Sequence, residues 1–219
     1  LEAVFTGQGA PVYLAKETLL WVYQKNCLDF SQMTNLPKGL RQKLKDNFYI
    51  SKPNCVKSLK SQDGTEKLLL GLEDGNLIEA VAIPAEGRVT GCLSSQVGCR
   101  FACRFCASGL RGFKRNLTAP EMIDQALLLK ERTQGSLTHL VFMGTGEPLD
   151  NYDNLMRAIR VINAPYGLAI GARRITVSTC GIIPAIGRLS QERLQVELSI
   201  SLHAADDATR AKLMPGNRK

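Results

Sequence analysis

The chain has 219 residues, enough for one large domain or for one domain with a small extension. Hydrophobic residues make up 44% and charged residues 22%, which is ordinary for a soluble globular protein and excludes a fibrous or low-complexity chain. No apolar run approaches the length of a membrane span, so we expect no membrane partner. The chain starts with Leu1 and stops at Lys219, directly after a predicted helix, so we expect a fragment of a longer protein.

The charge balance favours an anionic partner. The formal net charge is +8 and the isoelectric point is about 9.2, and nucleic acid is the commonest partner of such a surface. The segment 99–115 contains no acid and five cations: Arg100, Arg104, Arg111, Lys114 and Arg115. We expect something anionic to dock at this segment. The odd number of cysteines, seven, indicates a reducing compartment, and we expect a cytoplasmic protein.

The first part of the sequence predicts a helical module followed by a hairpin. Helices are expected over residues 15–26 and 39–45, and strands over 67–72 and 77–83. The turn between the two strands carries the Asp-Gly hairpin signal. We therefore predict a helical accessory domain over 1–60 and a β-hairpin connection over 61–88.

From residue 89 the pattern changes to alternating strands and helices. Strands are expected over 90–96, 139–143, 174–178 and 196–202. Thr118 and Glu121 form a capping-box signal for a helix after the first of these strands. Strands separated by helices favour right-handed β-α-β units and a parallel sheet, which is an α/β fold. Chemistry in such folds sits at the carboxyl ends of the strands, where the unusual motifs of this chain fall.

Three cysteines with a C-x3-C-x2-C spacing, Cys99, Cys103 and Cys106, carry the strongest chemical signal. Three thiolates leave one iron of a [4Fe–4S] cluster without a protein ligand, so a substrate can bind there. The alternative is a zinc knuckle, which needs a fourth ligand from His139, His203 or the distantly spaced Cys92. A disulfide framework is the remaining alternative, but nothing in the sequence suggests secretion.

Six segments together resemble the RlmN/Cfr family of radical S-adenosylmethionine (SAM) methyltransferases, which methylate an adenine ring carbon in RNA. The segments are 91–99, the cysteine loop 99–106, 112–116, 146–149, 177–181 and 199–204. The resemblance covers nearly the whole chain, including the N-terminal helical segment. It implies a partial (β/α)6 radical SAM barrel over 89–219, truncated at its C-terminus because about four of the six β-α units are found, with an N-terminal helical accessory domain.

The resemblance also implies two cofactors and their ligands. Cys99, Cys103 and Cys106 would hold a [4Fe–4S] cluster as its metal ligands. SAM would bind to six residues at the strand ends: Gly146, Glu147, Ser178, Ser201, Leu202 and His203. From its residue type Leu202 would be expected in the core, so it is kept as a SAM contact only through its backbone.

Two catalytic residues are implied by the resemblance. Cys92 matches the cysteine that resolves a protein–RNA crosslink, a role that a low-pKa thiol near cations would suit; the alternative is a buried structural cysteine. Glu79 matches the proton acceptor. It is the one charge among apolar neighbours on a predicted strand, so we expect burial to raise its pKa. The alternative for Glu79 is an ion pair with Arg88 or a lysine. The methyl-carrying cysteine of the family lies beyond Lys219.

The implied activity is methylation of adenosine C2 in 23S rRNA and tRNA, with a reductase as electron donor and a monomeric state. Because the methyl carrier is missing, we expect these 219 residues alone to transfer no methyl group. Three alternatives stay open. They are C8 methylation of the Cfr type, a non-catalytic zinc-stabilised RNA-binding module, and a radical SAM enzyme acting on a protein or a small molecule.

Overall fold

The computed structural model describes residues 2–7, 9–110 and 112–216. Arg111, one of the five predicted cations, lies outside these residues. The N-terminal part forms three helices, α1 (Glu2–Gly7), α2 (Tyr13–Tyr23) and α3 (Lys38–Asn47), with a 3-10 turn at Phe30–Gln32. These helices enclose a small core of their own. Its buried members are Phe5, Leu14, Ala15, Cys27, Phe30, Met33, Leu36, Leu40 and Leu44.

The rest of the chain is a mixed sheet covered by helices. The strands are β1 (Asn54–Lys60), β2 (Glu66–Gly71), β3 (Leu77–Ala85), β4 (Arg88–Cys92), β5 (Gln96–Gly98), β6 (Phe113–Asn116), β7 (Leu137–Phe142), β8 (Ile175–Thr179) and β9 (Glu197–Ile200). The helices are α4 (Ala107–Leu110), α5 (Ala119–Arg132), α6 (Tyr152–Asn163), α7 (Ile183–Ser190) and α8 (Asp207–Leu213). Two 3-10 turns lie at Pro148–Asn151 and Ala172–Arg174.

The strand order β1-β2-β3-β4-β7-β8-β9 confirms the predicted α/β class. The first four strands are antiparallel neighbours, whereas β4, β7, β8 and β9 run parallel. A helix follows each of the four parallel strands, as the count of four β-α units predicted. The helix α5 begins with the predicted capping box, in which Thr118 and Glu121 satisfy each other's backbone N–H groups.

Two predicted elements differ from the structure. Residues 54–60, placed in the helical range by the sequence, form strand β1 and pair with β2 across a turn in which Gly64 has φ +85°. The single strand expected over 90–96 is two strands, because the chain leaves the large sheet after Cys92 and forms the small β5–β6 ladder. Both differences depend on which strands pair with each other, β1 with β2 and β5 with β6, and the periodicity of apolar residues in the sequence does not reveal this pairing.

The helical module and the segment after it contact the sheet domain through polar side chains and through Tyr23, which packs against the buried residues of the sheet domain. Gln24 donates to the carbonyl of Pro165 at 2.6 Å, and Lys52 pairs with Glu131 at 2.9 Å. None of the helices in the described ranges is long and apolar enough to cross a membrane.

One face of the large sheet packs against helices and the other stays open. Ile78, Ala80 and Ala82 of β3 are buried, whereas Leu77 and Glu79 on the alternate face are exposed. The helix-facing side forms the main core with α5 and α6. The open face therefore carries side chains that do not serve the core, and the strand register decides which of them lie together.

Candidate active site

The parallel strands end at one edge of the sheet, and four motif segments meet there. The cysteine loop follows β5, residues 144–147 follow β7, residues 180–181 follow β8, and residues 201–203 follow β9. Carboxyl ends of neighbouring parallel strands lie side by side, so this edge collects chemistry from distant parts of the sequence.

The segments after β4 and β7 interlock through their backbones. Gly144 donates to the carbonyl of Leu93 at 3.0 Å, and Gln96 donates to that of Thr145 at 3.1 Å. A Cβ on Gly144 would lie 2.7 Å from the Leu93 oxygen. Gly146 has φ +107°, and its Cβ would lie 2.5 Å from that of Gln96. Both glycines are required by close backbone approach, and Gly146 also by its conformation.

The buried side-chain amide of Gln125 anchors this junction to α5. Gln125 of α5 accepts from the Ser94 N–H at 2.8 Å and donates back to the Ser94 carbonyl at 3.1 Å. The Ser94 hydroxyl donates to the Glu79 carbonyl at 2.6 Å and accepts from the Thr145 N–H at 3.0 Å. Because unpaired buried polar groups are costly, these bonds fix the two strand ends relative to α5. The sequence analysis missed Gln125 and Ser94; a polar residue on the apolar stripe of α5 was the available signal.

Gln96 links the junction to the predicted carboxylate. Its Oε1 accepts from the Glu147 N–H at 2.9 Å, while its Nε2 donates to Asn116 and Asp150, each at 2.8 Å. Three of the four hydrogen bonds that the Gln96 side chain can make hold neighbouring loops in place.

Glu147 is buried, with 4% of its surface exposed, rather than an exposed loop carboxylate. Its Oε2 accepts from the Cys180 N–H at 2.8 Å, and its Oε1 accepts from the Leu149 N–H at 3.1 Å. A carboxylate has about four acceptor positions, so Glu147 retains capacity for a cationic ligand. Burial raises the pKa of the neighbouring Cys180 thiol, and the Glu147 charge raises it further, so Cys180 stays protonated.

The predicted residues of β8 and β9 lie at adjacent strand ends. Ser201 donates to the carbonyl of Thr179 at 2.9 Å, which continues the β8–β9 ladder past β9. Leu202 is 63% exposed and so is not a core residue. His203 has φ +58°, and its ring lies 4.5 Å from that of Phe105 in the cysteine loop. The end of β9 therefore touches the loop that carries the cysteines.

Arg210 of α8 ties these strand ends together. Its guanidinium donates to the carbonyls of Cys180 at 2.5 Å, Leu202 at 3.1 Å and Ser201 at 3.3 Å. Carbonyl groups at strand ends have no ladder partner, and one planar guanidinium satisfies three of them. The sequence analysis missed Arg210, because nothing in its helix distinguishes it from a solvent-exposed cation.

The cysteine loop is held at both ends. Gly98 has φ +74°, and a Cβ there would overlap the carbonyl oxygen of Gly112. The end of α8 and the segment after it support the loop's middle, since Arg104 donates to the Leu213 carbonyl at 2.9 Å and Gly216 donates to the Phe101 carbonyl at 3.1 Å. The loop is thus built onto the sheet and onto α8 together.

All three predicted metal ligands are free, partly buried thiols in this loop. Burial raises the pKa of Cys99 and of Cys103, and in each case the adjacent thiols raise it further. Among the described residues, no three His, Cys, Asp or Glu side chains converge on a position for a single metal ion. Ligands of a [4Fe–4S] cube need no such convergence, because each thiolate binds a separate iron.

The register brings the two predicted catalytic residues onto one face. Val81 of β3 lies opposite Cys92 of β4, so these two side chains share one face of the sheet. Glu79 is two residues before Val81 and therefore lies on the same face, which is the open one. The predicted burial of Glu79 is wrong: its side chain is 48% exposed and pairs with Lys67 at 3.1 Å. Cys92 does not have the expected low pKa, because partial burial raises it.

Two of the five cations in segment 99–115 form ion pairs with acids from other segments. Arg100 pairs with Asp150 at 2.9 Å, and Arg115 pairs with Asp74 at 2.6 Å and Glu121 at 2.7 Å. Lys114 donates to Asn76 at 2.9 Å, whereas the exposed Arg104 makes no ion pair within the described ranges. The acids come from other segments, which a local count of charges does not include.

Comparisons with known proteins agree with this geometry. The radical SAM superfamily model matches residues 93–219, and the model of the ribosomal RNA large subunit methyltransferase N-terminal domain matches residues 1–50. The crystal structure of a radical SAM methyltransferase from Sphaerobacter thermophilus superposes with a TM-score of 0.93 at 42% identity. That comparison covers 99% of this chain and 65% of the other.

Curated relatives are also similar over all or nearly all of this chain. A probable dual-specificity RNA methyltransferase RlmN from Thermoanaerobacter sp. is 47% identical over 219 residues, covering 100% of this chain and 64% of the relative. One of the same name from Clostridium perfringens is 46% identical over 208 residues, covering 94% of this chain and 60% of the relative. The chain thus spans somewhat less than two thirds of these relatives. With a superfamily match over more than half of its length, the chain belongs to the radical SAM superfamily.

Proposed function

We propose that the chain binds a [4Fe–4S] cluster and SAM and forms the cofactor-binding part of an RNA methyltransferase that acts on adenosine C2. The observation that carries this proposal is the meeting of the cysteine loop with the buried Glu147 at one sheet edge. The two relatives, which match over 94% or more of the chain, are named as probable RNA methyltransferases, which supports RNA as the substrate class.

The side chains present fit the cluster. Cys99, Cys103 and Cys106 supply three thiol donors from one backbone-supported loop, the number that leaves one iron open. In the family, the bound cluster supplies the electron that cleaves SAM reductively. The protein's own contribution is to hold the three thiolates, to position the ligands at the strand ends and to limit access of water.

Glu147 is proposed to bind the ammonium group of SAM. It is buried, two backbone N–H groups fix its orientation, and its remaining lone pairs can accept from a cation. Gly146 allows the backbone to approach closely. Ser178 and Ser201 offer hydroxyls at the neighbouring strand ends, and Leu202 and His203 continue the same edge beside the cysteine loop.

Cys92 and Glu79 are proposed to act on the RNA base from the open face. Glu79 is exposed beside Lys67, so its carboxylate can accept a proton from a substrate that enters this face. Cys92 lies on the same face and is a free thiol, as a resolving role requires. We propose a reductase as the electron donor and a cytoplasmic, monomeric protein.

Anaerobic reconstitution with iron and sulfide tests the cofactor proposal. We expect the unsubstituted chain to turn brown, to bind SAM, and to release 5′-deoxyadenosine under a strong reductant. Cys103→Ala should lose all three properties, whereas Cys55→Ala, which removes a thiol from β1, should keep them. Bound zinc in place of iron would support the alternative of a zinc-stabilised RNA-binding module.

A chimaera tests the regiochemistry. These residues would replace the matching part of the Thermoanaerobacter relative, which supplies the remainder of a complete protein. After incubation with 23S rRNA fragments and tRNA, mass spectrometry of the nucleosides should find 2-methyladenosine. Formation of 8-methyladenosine would favour the Cfr-type alternative, and no methylated base at all would contradict the proposed reaction.

A further inference from the structure

A cavity lies at the start of α5, outside the candidate active site. Its volume is about 440 Å³, which is in the range of pockets that hold small organic ligands. Three parts of the chain form most of its wall: the segment 49–53 after the helical module, the turn between β2 and β3, and the first residues of α5. None of the residues that line this space, called here the α5 cavity, is among those proposed to bind the cluster, SAM or the RNA base.

Side-chain contacts hold the walls of the α5 cavity together. Arg115 pairs with Asp74 of the turn at 2.6 Å and with Glu121 of α5 at 2.7 Å. Tyr49 donates to Glu73 at 3.1 Å, which joins the segment before β1 to the same turn. Because these contacts do not involve a ligand, the cavity is preformed, as ligand pockets usually are.

Most of the surface that lines the cavity is apolar. Tyr49, Pro53, Leu72 and Pro120 contribute apolar groups to it from all three walls. Such a surface favours a ligand with an apolar body of its own, because burying the two surfaces against each other removes both from water.

Asp124 of α5 lies in this cavity without a partner of opposite charge. Its Oδ2 accepts from the Ser51 hydroxyl at 2.5 Å, whereas its Oδ1 has no partner among the described residues and is not closed off from solvent. Burial, with a smaller contribution from the charges of Glu121 and Glu73, raises the pKa of Asp124 to about 6. A cation beside Asp124 would offset these effects, and the carboxylate has free acceptor positions for it.

The remaining charges leave the cavity negative. Four carboxylates, Glu73, Asp74, Glu121 and Asp124, and two cations, Lys52 and Arg115, line it. Arg115 is shared between two of these carboxylates, and Lys52 pairs at 2.9 Å with Glu131, which lies outside the cavity. Within the described ranges, Asp124 and Glu73 therefore form no ion pair.

The arrangement of the carboxylates favours an organic cation over a metal ion. In the part of the chain that the structure describes, no three acidic, histidine or cysteine side chains converge on one position for a metal ion. Calcium and magnesium ions need several oxygen ligands around one point. A protonated amine needs fewer acceptors for its charge, and its carbon skeleton can cover the apolar lining.

We propose that the α5 cavity is a binding site for a small protonated amine. The ammonium group donates to Asp124, and the carbon skeleton packs against Tyr49, Pro53 and Leu72. This site is separate from the proposed cofactor site, so the inference does not rest on the proposed function. An amine that binds only the folded chain also stabilises it against unfolding.

Isothermal titration calorimetry with 2-phenylethylamine tests the proposal at about pH 8, where Asp124 is ionised. The uncharged analogue 2-phenylethanol, which has a hydroxyl group in place of the ammonium group, tests whether the charge is recognised. Asp124→Asn removes the carboxylate charge and keeps the shape of the side chain. The matched control Asp46→Asn removes an acid of α3 outside the cavity, and urea unfolding checks that both variants are folded.

We expect the amine to bind the unsubstituted chain and the Asp46→Asn variant with the same affinity. It should bind Asp124→Asn at least about tenfold more weakly, because a hydrogen bond between two charged groups is lost. The alcohol should bind the unsubstituted chain at least about tenfold more weakly than the amine for the same reason. No measurable binding of the amine, an unchanged affinity in Asp124→Asn, or equal binding of amine and alcohol would each overturn the proposal.

Discussion

Replacing Gly146 by alanine tests whether the two strand-end segments are as tightly interlocked as the structure indicates. The new Cβ would lie 2.5 Å from the Gln96 Cβ and 2.8 Å from the Gln96 nitrogen, both far inside van der Waals contact. The φ of +107° adds backbone strain. Strain of this kind costs about 1–3 kcal/mol and overpacking about 1–3 kcal/mol, so we expect a loss of about 2–6 kcal/mol in the free energy of unfolding.

The same substitution should also weaken SAM binding. Gln96 cannot move away from the new methyl group without disturbing the bond from the Glu147 N–H to its Oε1, which is 2.9 Å long. Urea unfolding and equilibrium SAM binding measure the two effects. Gly187→Ala is the control, because a Cβ there meets nothing within 4 Å and lies in α7, where alanine stabilises by about 0.5–1 kcal/mol. A stability for Gly146→Ala within 0.5 kcal/mol of the unsubstituted chain, about the error of such comparisons, would refute the reasoning.

Three further predictions follow from individual contacts. Arg210→Ala should cost about 1.5–3 kcal/mol of stability in urea unfolding and weaken SAM binding, while Arg210→Lys should recover part of both; equal behaviour of the two variants would argue against the three-carbonyl clamp. Burial raises the pKa of Asp124 to about 6, so its contribution to stability is present below about pH 4 and lost as pH rises through 6. Asp124→Asn should therefore gain stability over the unsubstituted chain between pH 4 and 7, by at most about 3 kcal/mol, and a pH-independent difference would contradict this. Glu79→Gln should change the unfolding free energy by less than about 1 kcal/mol, because its ion pair with Lys67 is half exposed; a larger loss would mean that Glu79 has a structural role.

Much of the fold follows from local patterns. The capping box at Thr118 and the apolar stripes of α5 and α6 fix the helices, and compact apolar runs fix the parallel strands. The strand β1 escaped prediction because it is exposed on both faces, so its residues carry no alternation of apolar and polar positions.

The site was predictable where chemistry leaves a sequence signal. Cysteine spacing and the glycines around Thr145 point to the cysteine loop and to Glu147. The residues that hold them in place were not predictable, because they act through hydrogen bonds to distant parts of the chain. Gln125 bonds to a residue 31 positions away, Gln96 to one 54 positions away, and Arg210 to one 30 positions away. The same limitation explains part of the cation pairing, since Asp74, one of the two acids that pair with Arg115, lies in the β2–β3 turn.

The account depends most directly on what the cysteine loop binds. Iron and acid-labile sulfide should be measured in the anaerobically reconstituted chain, beside Cys99→Ala, Cys106→Ala and the control Cys55→Ala. Equal amounts of iron and sulfide, lost in both loop variants and kept in the control, with 5′-deoxyadenosine released from SAM by a strong reductant, are the predicted result. A colourless protein, or iron that survives loss of Cys99 or Cys106, would contradict the account.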